Sequence, residues 1–169
     1  MSRSNAPARY SGRTRQIADV LAVLAETPTA IAVITRDHDE RQLQRQPAPD
    51  AWSARDIVAH LRACAEVWGR SIERMLDENH PTMRYVSPRG WIKKTDYLEQ
   101  SFNESLRAFT GARTVLLDRL RGLDPARWQR RGTFTGTTLG KDATVLGYAQ
   151  RIAEHEVRHL EQLRRTLHS

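Results

Sequence analysis

The sequence has a single cysteine, Cys64, and contains no long apolar run. One cysteine excludes an intramolecular disulfide and is typical of a reducing cytoplasm, where we expect this protein to act. The longest apolar stretch near the start, residues 17–25, is interrupted by Asp19, whereas a membrane-spanning helix needs about 20 apolar residues. No small-residue cleavage site follows it, so we expect neither a secretory signal nor a membrane partner.

Lysine is scarce, with only Lys93, Lys94 and Lys141, so the net charge of +7 comes almost entirely from arginine. A basic chain of this kind can bind nucleic acid through the phosphates. The basic residues, however, are scattered through every segment and alternate with acids, as in residues 70–78. This distribution favours a solvated, arginine-rich surface and argues against a nucleic-acid partner.

The length of 169 residues is typical of one domain with its own core. Residues 1–13 are polar and contain Pro7 and Gly12, which predicts a flexible N-terminal arm ahead of a single domain over residues 14–169. A short extra helix is predicted over residues 14–26. Thr27 and Pro28 then predict a new helix start, because threonine caps helices and proline suits the first helical position.

Apolar residues recur at helical spacing in four principal segments, which predicts an all-α four-helix bundle. These predicted helices cover residues 27–36, 53–77, 95–121 and 144–167. Ser53 and Asp56 resemble a capping box, and Thr144 is the predicted cap of the last helix. Residues 129–143 are rich in glycine and threonine and form either a small β excursion or a loop. Sites in such bundles are built from side chains that face inward from neighbouring helices.

Three histidines stand out as candidate metal ligands. His155 and His159 are four residues apart on the last predicted helix, where their Cβ atoms would be roughly 5–6 Å apart. His60 lies on the second principal helix, and the helical wheel places all three at the edge of an inward face. Three such ligands would leave one coordination position open, as in catalytic metal sites. The alternative is that each is an ordinary histidine with one hydrogen bond; His38, His80 and His168 are predicted to be surface residues.

Residues 155–159 also match His-Glu-x-x-His, the signature of one metalloprotease class. We set that interpretation aside because only His168 could supply the downstream third ligand. Glu156 points toward the middle of the apolar face, where an ionised carboxylate needs a partner, and Arg113 is the predicted partner. We favour a structural role for Glu156 or a place beside the metal ligands, and leave open a role as general base.

Imidazole ligands suit a borderline divalent ion, most of all Zn or Ni. A bound ion would activate either a thiol for S-transfer or a water for hydrolysis. Arg113 is our first choice for binding the carboxylates of a small thiol. Cys64 lies at the centre of an apolar face and is expected to be inert. The aromatic residues that could form walls of the site, although core packing is favoured for each, are Trp52, Trp68, Trp91, Tyr97 and Trp128.

Several segments together resemble the DinB-like superfamily, over about residues 17–167. They include residues 52–61 (WSARDIVAHL), residues 109–120 (FTGARTVLLDRL) and the His-x-x-x-His of the last helix followed by Leu160 and Gln162. The resemblance implies a four-helix bundle and a divalent metal held by His60, His155 and His159. Family members often have a second histidine directly before the last ligand. That position is Arg158 here, and the helical wheel turns it away from the site.

The resemblance also implies a function. Some members of the superfamily are thiol-dependent transferases or isomerases that use bacillithiol, mycothiol or glutathione. We therefore expect first a metal-dependent S-transferase that acts on small electrophiles with a low-molecular-weight thiol as cosubstrate. The alternatives are a non-catalytic stress-response or ligand-binding bundle and a metal-dependent hydrolase. A homodimer, the commonest soluble assembly, is left open.

Overall fold

Four long helices form a bundle in the computed structural model, which describes residues 6–137 and 142–168, with side chains from residue 16 onward. In chain order the elements are α1 (Ala6–Thr35), α2 (Glu40–Gln44), α3 (Ala54–Asp77), β1 (Thr82–Arg84), α4 (Pro88–Ile92), α5 (Phe102–Arg121), α6 (Pro125–Trp128), β2 (Arg131–Thr135), β3 (Asp142–Thr144) and α7 (Val145–Leu167). Helix α3 packs against α5 and α7, and α1 packs against the same two helices. The predicted four-helix bundle is confirmed.

Helix α1 differs from the predicted arrangement in two ways. It begins at Ala6 and not at residue 14, so the backbone assigned to a flexible arm is helical from residue 6; residues 1–5 lie outside the described residues. It also continues through Pro28, so the predicted new helix start there is wrong. Proline inside a helix costs about 3 kcal/mol. Burial of Leu24 and Ile31, both fully enclosed in the bundle, offsets that cost.

The starts of α3 and α7 are confirmed by their caps. Ser53 accepts a hydrogen bond from the Asp56 N–H, and the Asp56 carboxylate accepts one from the Ser53 N–H, at 3.2 and 3.0 Å. Thr144 accepts a hydrogen bond from the Gly147 N–H at 3.0 Å. Each of these bonds satisfies a backbone donor that the first turn of a helix leaves unpaired.

The predicted start of α5 at residue 95 is wrong. Helix α5 begins at Phe102, where Ser101 and Glu104 form another capping box. The Ser101 N–H donates to the Glu104 carboxylate at 2.8 Å, and the Glu104 N–H donates to the Ser101 hydroxyl at 3.2 Å. The start signal was therefore present in the sequence, at Ser101, six residues after the predicted start.

A small three-stranded sheet packs on the core, in the order β1-β2-β3. Strand β2 is parallel to β1 and antiparallel to β3. Of residues 129–143, which the sequence leaves open between strand and loop, the described part forms β2 and the start of β3; residues 138–141 lie outside the described residues. A Cβ at Gly132 would lie 2.6 Å from Met83 Cε and 2.9 Å from Met75 Cγ, so a larger residue here would require both methionine side chains to shift.

Helix α1 is more apolar than the sequence analysis allowed, because the stretch Gln16–Thr35 extends past residue 25. Its 20 residues and mean hydropathy of 1.8 would suffice to cross a membrane by length and composition alone. A core helix of a soluble protein and a signal sequence near the N-terminus pass the same test, so one such helix is weak evidence for a membrane span. In this bundle 22% of the stretch is buried, Val20, Leu24 and Ile31 among it, and α1 contacts α5 and α7.

Candidate metal centre

Three histidines from two helices meet between α3 and α7. The Nε2 atom of His155 lies 3.3 Å from His60 Nε2 and 3.0 Å from His159 Nε2. One ligand atom from each residue lies within 4.8 Å of the other two. His60 is buried, whereas His155 and His159 are half-buried. The structure thus brings together the three histidines that the sequence singles out.

Helix geometry explains why these side chains converge. His60 follows the capping residue Ser53 by seven residues, which is about two turns of α3. His155 and His159 are one turn apart on α7, so their side chains lie on the same face. Because α3 and α7 pack directly against each other, His60 meets this pair across the interface.

The spacing of the three imidazoles fits a single metal ion. Two nitrogen ligands at roughly 2.0–2.1 Å from one ion are about 3.3–3.4 Å apart in a tetrahedral site, and about 2.9 Å apart when the bonds are at right angles. The observed Nε2 separations of 3.0 and 3.3 Å fall between these values. The His60–His155 and His155–His159 separations therefore suit a divalent ion, and a tetrahedral ion held by the three residues would keep one position open.

The histidines are also in the right protonation state. Burial and, to a smaller extent, the charge of His159 together lower the pKa of His60 to about 4 and that of His155 to about 3. The pKa of His159 is lowered as well, mainly by burial. Neutral imidazole is the form that binds metal. At neutral pH the cluster is therefore ready to bind an ion without first releasing protons.

Neighbouring side chains fix the orientation of the imidazole rings. His159 Nδ1 donates a hydrogen bond to Gln162 Oε1 at 2.8 Å, which leaves the Nε2 lone pair free for a metal. Trp52 stacks on His159 with the ring centroids 6.2 Å apart and the planes 7° from parallel. Trp68 meets His155 edge-on at 4.7 Å. Two tryptophans predicted as possible walls thus contact the cluster.

A cavity of about 350 Å³ opens onto all three histidines; we call it the histidine cavity. Its lining consists of His60, Trp68, Tyr85, Ser87, Pro88, Arg89, Arg151, His155, Arg158 and His159. Three of these residues are arginines and none is an aspartate or a glutamate. The cavity is therefore strongly basic beside the candidate metal ligands.

A second cavity of about 560 Å³ shares His60 and Arg89 with the first; we call it the Trp52 cavity. The rest of its lining is Gln46, Asp50, Trp52, Asp56, Ile92, Lys93 and Leu98. The Arg89 guanidinium lies 5.3 Å from the centroid of the Trp52 ring, in a cation–π contact. The histidine cavity and the Trp52 cavity, whose linings differ in chemistry, thus share one histidine of the cluster, His60.

The structure corrects the sequence analysis on Arg158. The helical wheel turns this residue away from the site, but its side chain lines the histidine cavity. Its charge also lowers the pKa of His155 and of His159. A helical wheel describes where the side chain leaves the helix, whereas the long arginine side chain reaches sideways along the surface.

Arg89 and Arg151 were missed entirely. For Arg151 a signal exists, because it precedes His155 by one turn and so shares its face of α7. Arg89 has no comparable signal, because its position depends on how the segment after β1 packs on α3. Glu66 of α3 holds that segment by accepting hydrogen bonds from Trp91 Nε1 at 2.9 Å and from the Tyr97 hydroxyl at 2.6 Å.

Arg113 and Glu156 form an ion pair inside the bundle, as predicted for Glu156. Both side chains are almost fully buried, with 1% and 2% exposed. Burial raises the pKa of Glu156 and lowers that of Arg113, and their mutual attraction opposes both shifts. Neither residue lines either cavity. Arg113, our predicted thiol-binding residue, thus lies in the core outside both cavities, where it is the partner of Glu156.

The remaining candidate residues either lie away from the three histidines or are buried. Cys64 is buried, and its Sγ atom lies 3.3 Å from His60 Nε2; burial raises the pKa of its thiol, which keeps it protonated. His80 and His168 are exposed as predicted, whereas His38 is half-buried. Trp128 is buried in the core, so core packing is its role.

A family model of the DinB superfamily matches residues 13–163. The chain belongs to the DinB superfamily. This membership confirms the resemblance seen in residues 52–61 and in the last helix. A search of curated proteins finds no match.

A solved structure supports the fold of this DinB-superfamily chain. YfiT from Bacillus subtilis superimposes with a TM-score of 0.73 and 18% sequence identity, over 98% of this chain and 92% of that one. YfiT is described as a probable metal-dependent hydrolase with an unusual four-helix bundle topology. At this level of identity the likeness shows the shared fold, and the activity of YfiT remains a statement about YfiT.

Proposed function

We propose that this protein is a metal-dependent S-transferase that joins a low-molecular-weight thiol to a small electrophile. The observation that carries the proposal is that two separate cavities meet at one candidate metal centre, where His60 and Arg89 belong to both linings. A transfer reaction needs room for two organic substrates beside the same ion, whereas hydrolysis needs one substrate and water.

The metal would be held by His60, His155 and His159, whose neutral imidazoles favour Zn or Ni. When bound, such an ion lowers the pKa of a thiol or of water and so supplies a nucleophile at neutral pH. In the transfer, sulfur forms a bond to the electrophilic carbon and the leaving group departs with its bonding electrons. The thiol proton passes to solvent.

The chain's own residues orient and shield the reactants. Gln162 and Trp52 hold the His159 ring, and Trp68 covers His155. Trp52, Ile92 and Leu98 give the Trp52 cavity an apolar wall that excludes water from one substrate. Aligning two reactants in this way removes much of the entropic barrier to their reaction.

Hydrolysis is the second candidate, because YfiT is described as a probable metal-dependent hydrolase. A hydrolase of this kind usually needs a carboxylate or histidine near the water to take its proton. The histidine cavity is lined by no carboxylate, and its histidines are the candidate ligands. Asp50 and Asp56 line the Trp52 cavity, and the Asp56 carboxylate is engaged by the Ser53 N–H in the cap of α3. Glu156, the nearest residue in sequence, is paired with Arg113 in the core. These contacts favour transfer over hydrolysis.

The first experiment measures metal content in protein purified without chelator. We expect about one Zn or Ni per chain in the native protein, and loss of that metal in His60→Ala and His155→Ala. His168→Ala, which removes an exposed histidine outside the cluster, is the matched control and should retain the metal. Metal that is sub-stoichiometric and insensitive to all three substitutions would remove the proposal.

The second experiment separates transfer from hydrolysis and from simple binding. The metal-loaded protein is assayed with a panel of thiols (glutathione, bacillithiol, mycothiol and cysteine) and a chloroaromatic electrophile, and in parallel with nitrophenyl esters. We expect thiol-dependent product that disappears in His155→Ala and after chelation. Ester hydrolysis without thiol transfer would establish the hydrolase instead. Metal binding without either activity would support the ligand-binding alternative.

A further inference from the structure

Among the residues that the structure describes, no carboxylate pairs with the three arginines of the histidine cavity. Arg89 comes from α4, and Arg151 and Arg158 come from α7. None of the ion pairs within the described part of the chain includes any of them. Exposed arginines elsewhere, such as Arg121 and Arg127, are in none of these ion pairs either. What sets Arg89, Arg151 and Arg158 apart is that all three line one cavity whose lining contains no acid.

The charges of the cavity arginines reach the candidate metal ligands. Arg89 lowers the pKa of His60 and of His159. Arg158 lowers the pKa of both α7 histidines, and Arg151 lowers that of His155. Like charges close together repel, and a divalent ion on the histidines would add to that repulsion. An anion in the cavity would offset all of these charges at once.

We infer that the histidine cavity binds a small ligand through a carboxylate or phosphate group held by Arg89, Arg151 and Arg158. This inference rests on the proposed function and adds the chemical class of one of the two substrates. Guanidinium groups present planar, paired N–H donors that match the oxygens of carboxylates and phosphates. A basic cavity without acids would select such a ligand over a neutral electrophile.

The placement of the arginines favours a ligand with two anionic groups. Arg151 and Arg158 are seven residues apart, or about 10.5 Å along the axis of α7, and His155 lies between them in sequence. Arg89 approaches from the separate helix α4. The cavity volume of about 350 Å³ is that of a small-molecule site. A metabolite-sized dicarboxylate or phosphate monoester fits this description, whereas a polymer does not.

Direct binding to the zinc-loaded protein tests the inference. Succinate and methyl phosphate are the probes, succinamide is the neutral match for succinate, and calorimetry reports affinity and stoichiometry. We expect saturable one-to-one binding of at least one anion, weaker binding at high salt, and no binding of succinamide. Preference for succinate or for methyl phosphate tells a carboxylate ligand from a phosphate ligand.

Substitutions of the arginines decide whether they hold the anion. We expect Arg151→Gln and Arg158→Gln to weaken binding by about tenfold each, and Arg89→Gln similarly, since each removes a charge-assisted hydrogen bond. Arg127→Gln, an exposed arginine on α6 outside both cavities, is the matched control and should bind normally. Metal content should stay at the native level in all four variants, which separates anion binding from metal binding.

Three outcomes would overturn the inference: equal binding of succinamide, anion binding unaffected by the three substitutions, or no anion binding at all. If these occur while the metal and thiol-transfer assays succeed, the proposed function stands and only the substrate class is wrong. If the native protein holds no metal, the proposed function fails. Succinate binding to the metal-free protein, measured after chelation, then still reports on the arginines.

Discussion

Helix α7 places two kinds of charged site side by side in sequence but on different surfaces. Glu156 turns into the core and pairs with Arg113, where both side chains are almost fully buried. His155, one residue earlier, faces a cavity whose arginines have no acidic partner in the described structure. Charges in the core must be paired for the bundle to fold. The arginines beside the histidines are exposed and line one cavity without an acid, and the proposed anion site rests on this convergence.

The largest expected effect comes from breaking the core pair. Arg113→Leu should destabilise the protein by about 3–5 kcal/mol, because Glu156 would be left buried without its cationic partner. The loss should be larger at pH 8 than at pH 5, since Glu156 can become neutral at the lower pH. Urea unfolding measures it. Arg119→Leu breaks a surface pair with Asp77 and should cost no more than about 1 kcal/mol. Equal losses of stability in Arg113→Leu and Arg119→Leu would contradict the contrast between buried and exposed charges.

On the cavity side, acid should destabilise the metal-free protein. The pKa of His60 is lowered from its usual 6.5 to about 4, so the unfolded chain binds protons more readily than the folded one. Above about pH 6.5 His60 is neutral in both the folded and the unfolded chain and does not reduce stability. As the pH falls from 6.5 toward 4, the unfolded chain binds the proton first and the free energy of unfolding decreases. For His60 we expect a decrease on the order of 2–3 kcal/mol in the free energy of unfolding. His60→Leu should flatten this dependence; an unchanged slope would show that other groups cause it.

Metal affinity should respond to the residue that orients His159. Gln162→Leu removes the acceptor of the His159 Nδ1 hydrogen bond and should weaken metal binding by about 10–100-fold. Competition with a chromophoric chelator measures the change. Gln150→Leu alters a glutamine on the same helix that faces the groove between α1 and α7, and it should bind metal normally. If both variants bind metal like the native protein, Gln162 does not support the site.

The smallest expected effect comes from loosening the segment that carries Arg89. Glu66→Ala removes the shared acceptor of Trp91 and Tyr97 and should cost about 1 kcal/mol of stability per hydrogen bond lost. Metal content should not change, because no histidine depends on this contact. Hydrogen exchange should rise in residues 88–101 and stay unchanged in α7. Metal loss in this variant would show that the two regions are coupled.

The parts of the fold set by local chemistry could be predicted from the sequence. The caps at Ser53 and Thr144 act within one turn, so their helix starts were found. Pro28 misled the prediction because tertiary packing outweighs the local preference of proline. Strand β1 has three residues and pairs with a distant strand, so periodicity gives no signal for it.

The candidate site also has residues that local spacing predicts and residues whose positions depend on tertiary packing. His155 and His159 share a helix face, and their spacing alone predicts that they meet. The convergence of His60 came from matching inward faces of two helices, together with the family resemblance. Arg158 was misplaced because a helical wheel ignores side-chain length. Arg89 could not be found from sequence, since contacts of Trp91 and Tyr97 with α3 determine where it lies.

The wall that His60 and Arg89 form between the two cavities has a consequence for kinetics. A molecule bound in the histidine cavity or in the Trp52 cavity would change the charge and shape that His60 and Arg89 present to the other cavity. In the proposed transfer the thiol and the electrophile should therefore not bind independently, and each should change the affinity for the other. Double-reciprocal plots of initial rates with both concentrations varied should then cross off the horizontal axis, where independent binding would place the crossing.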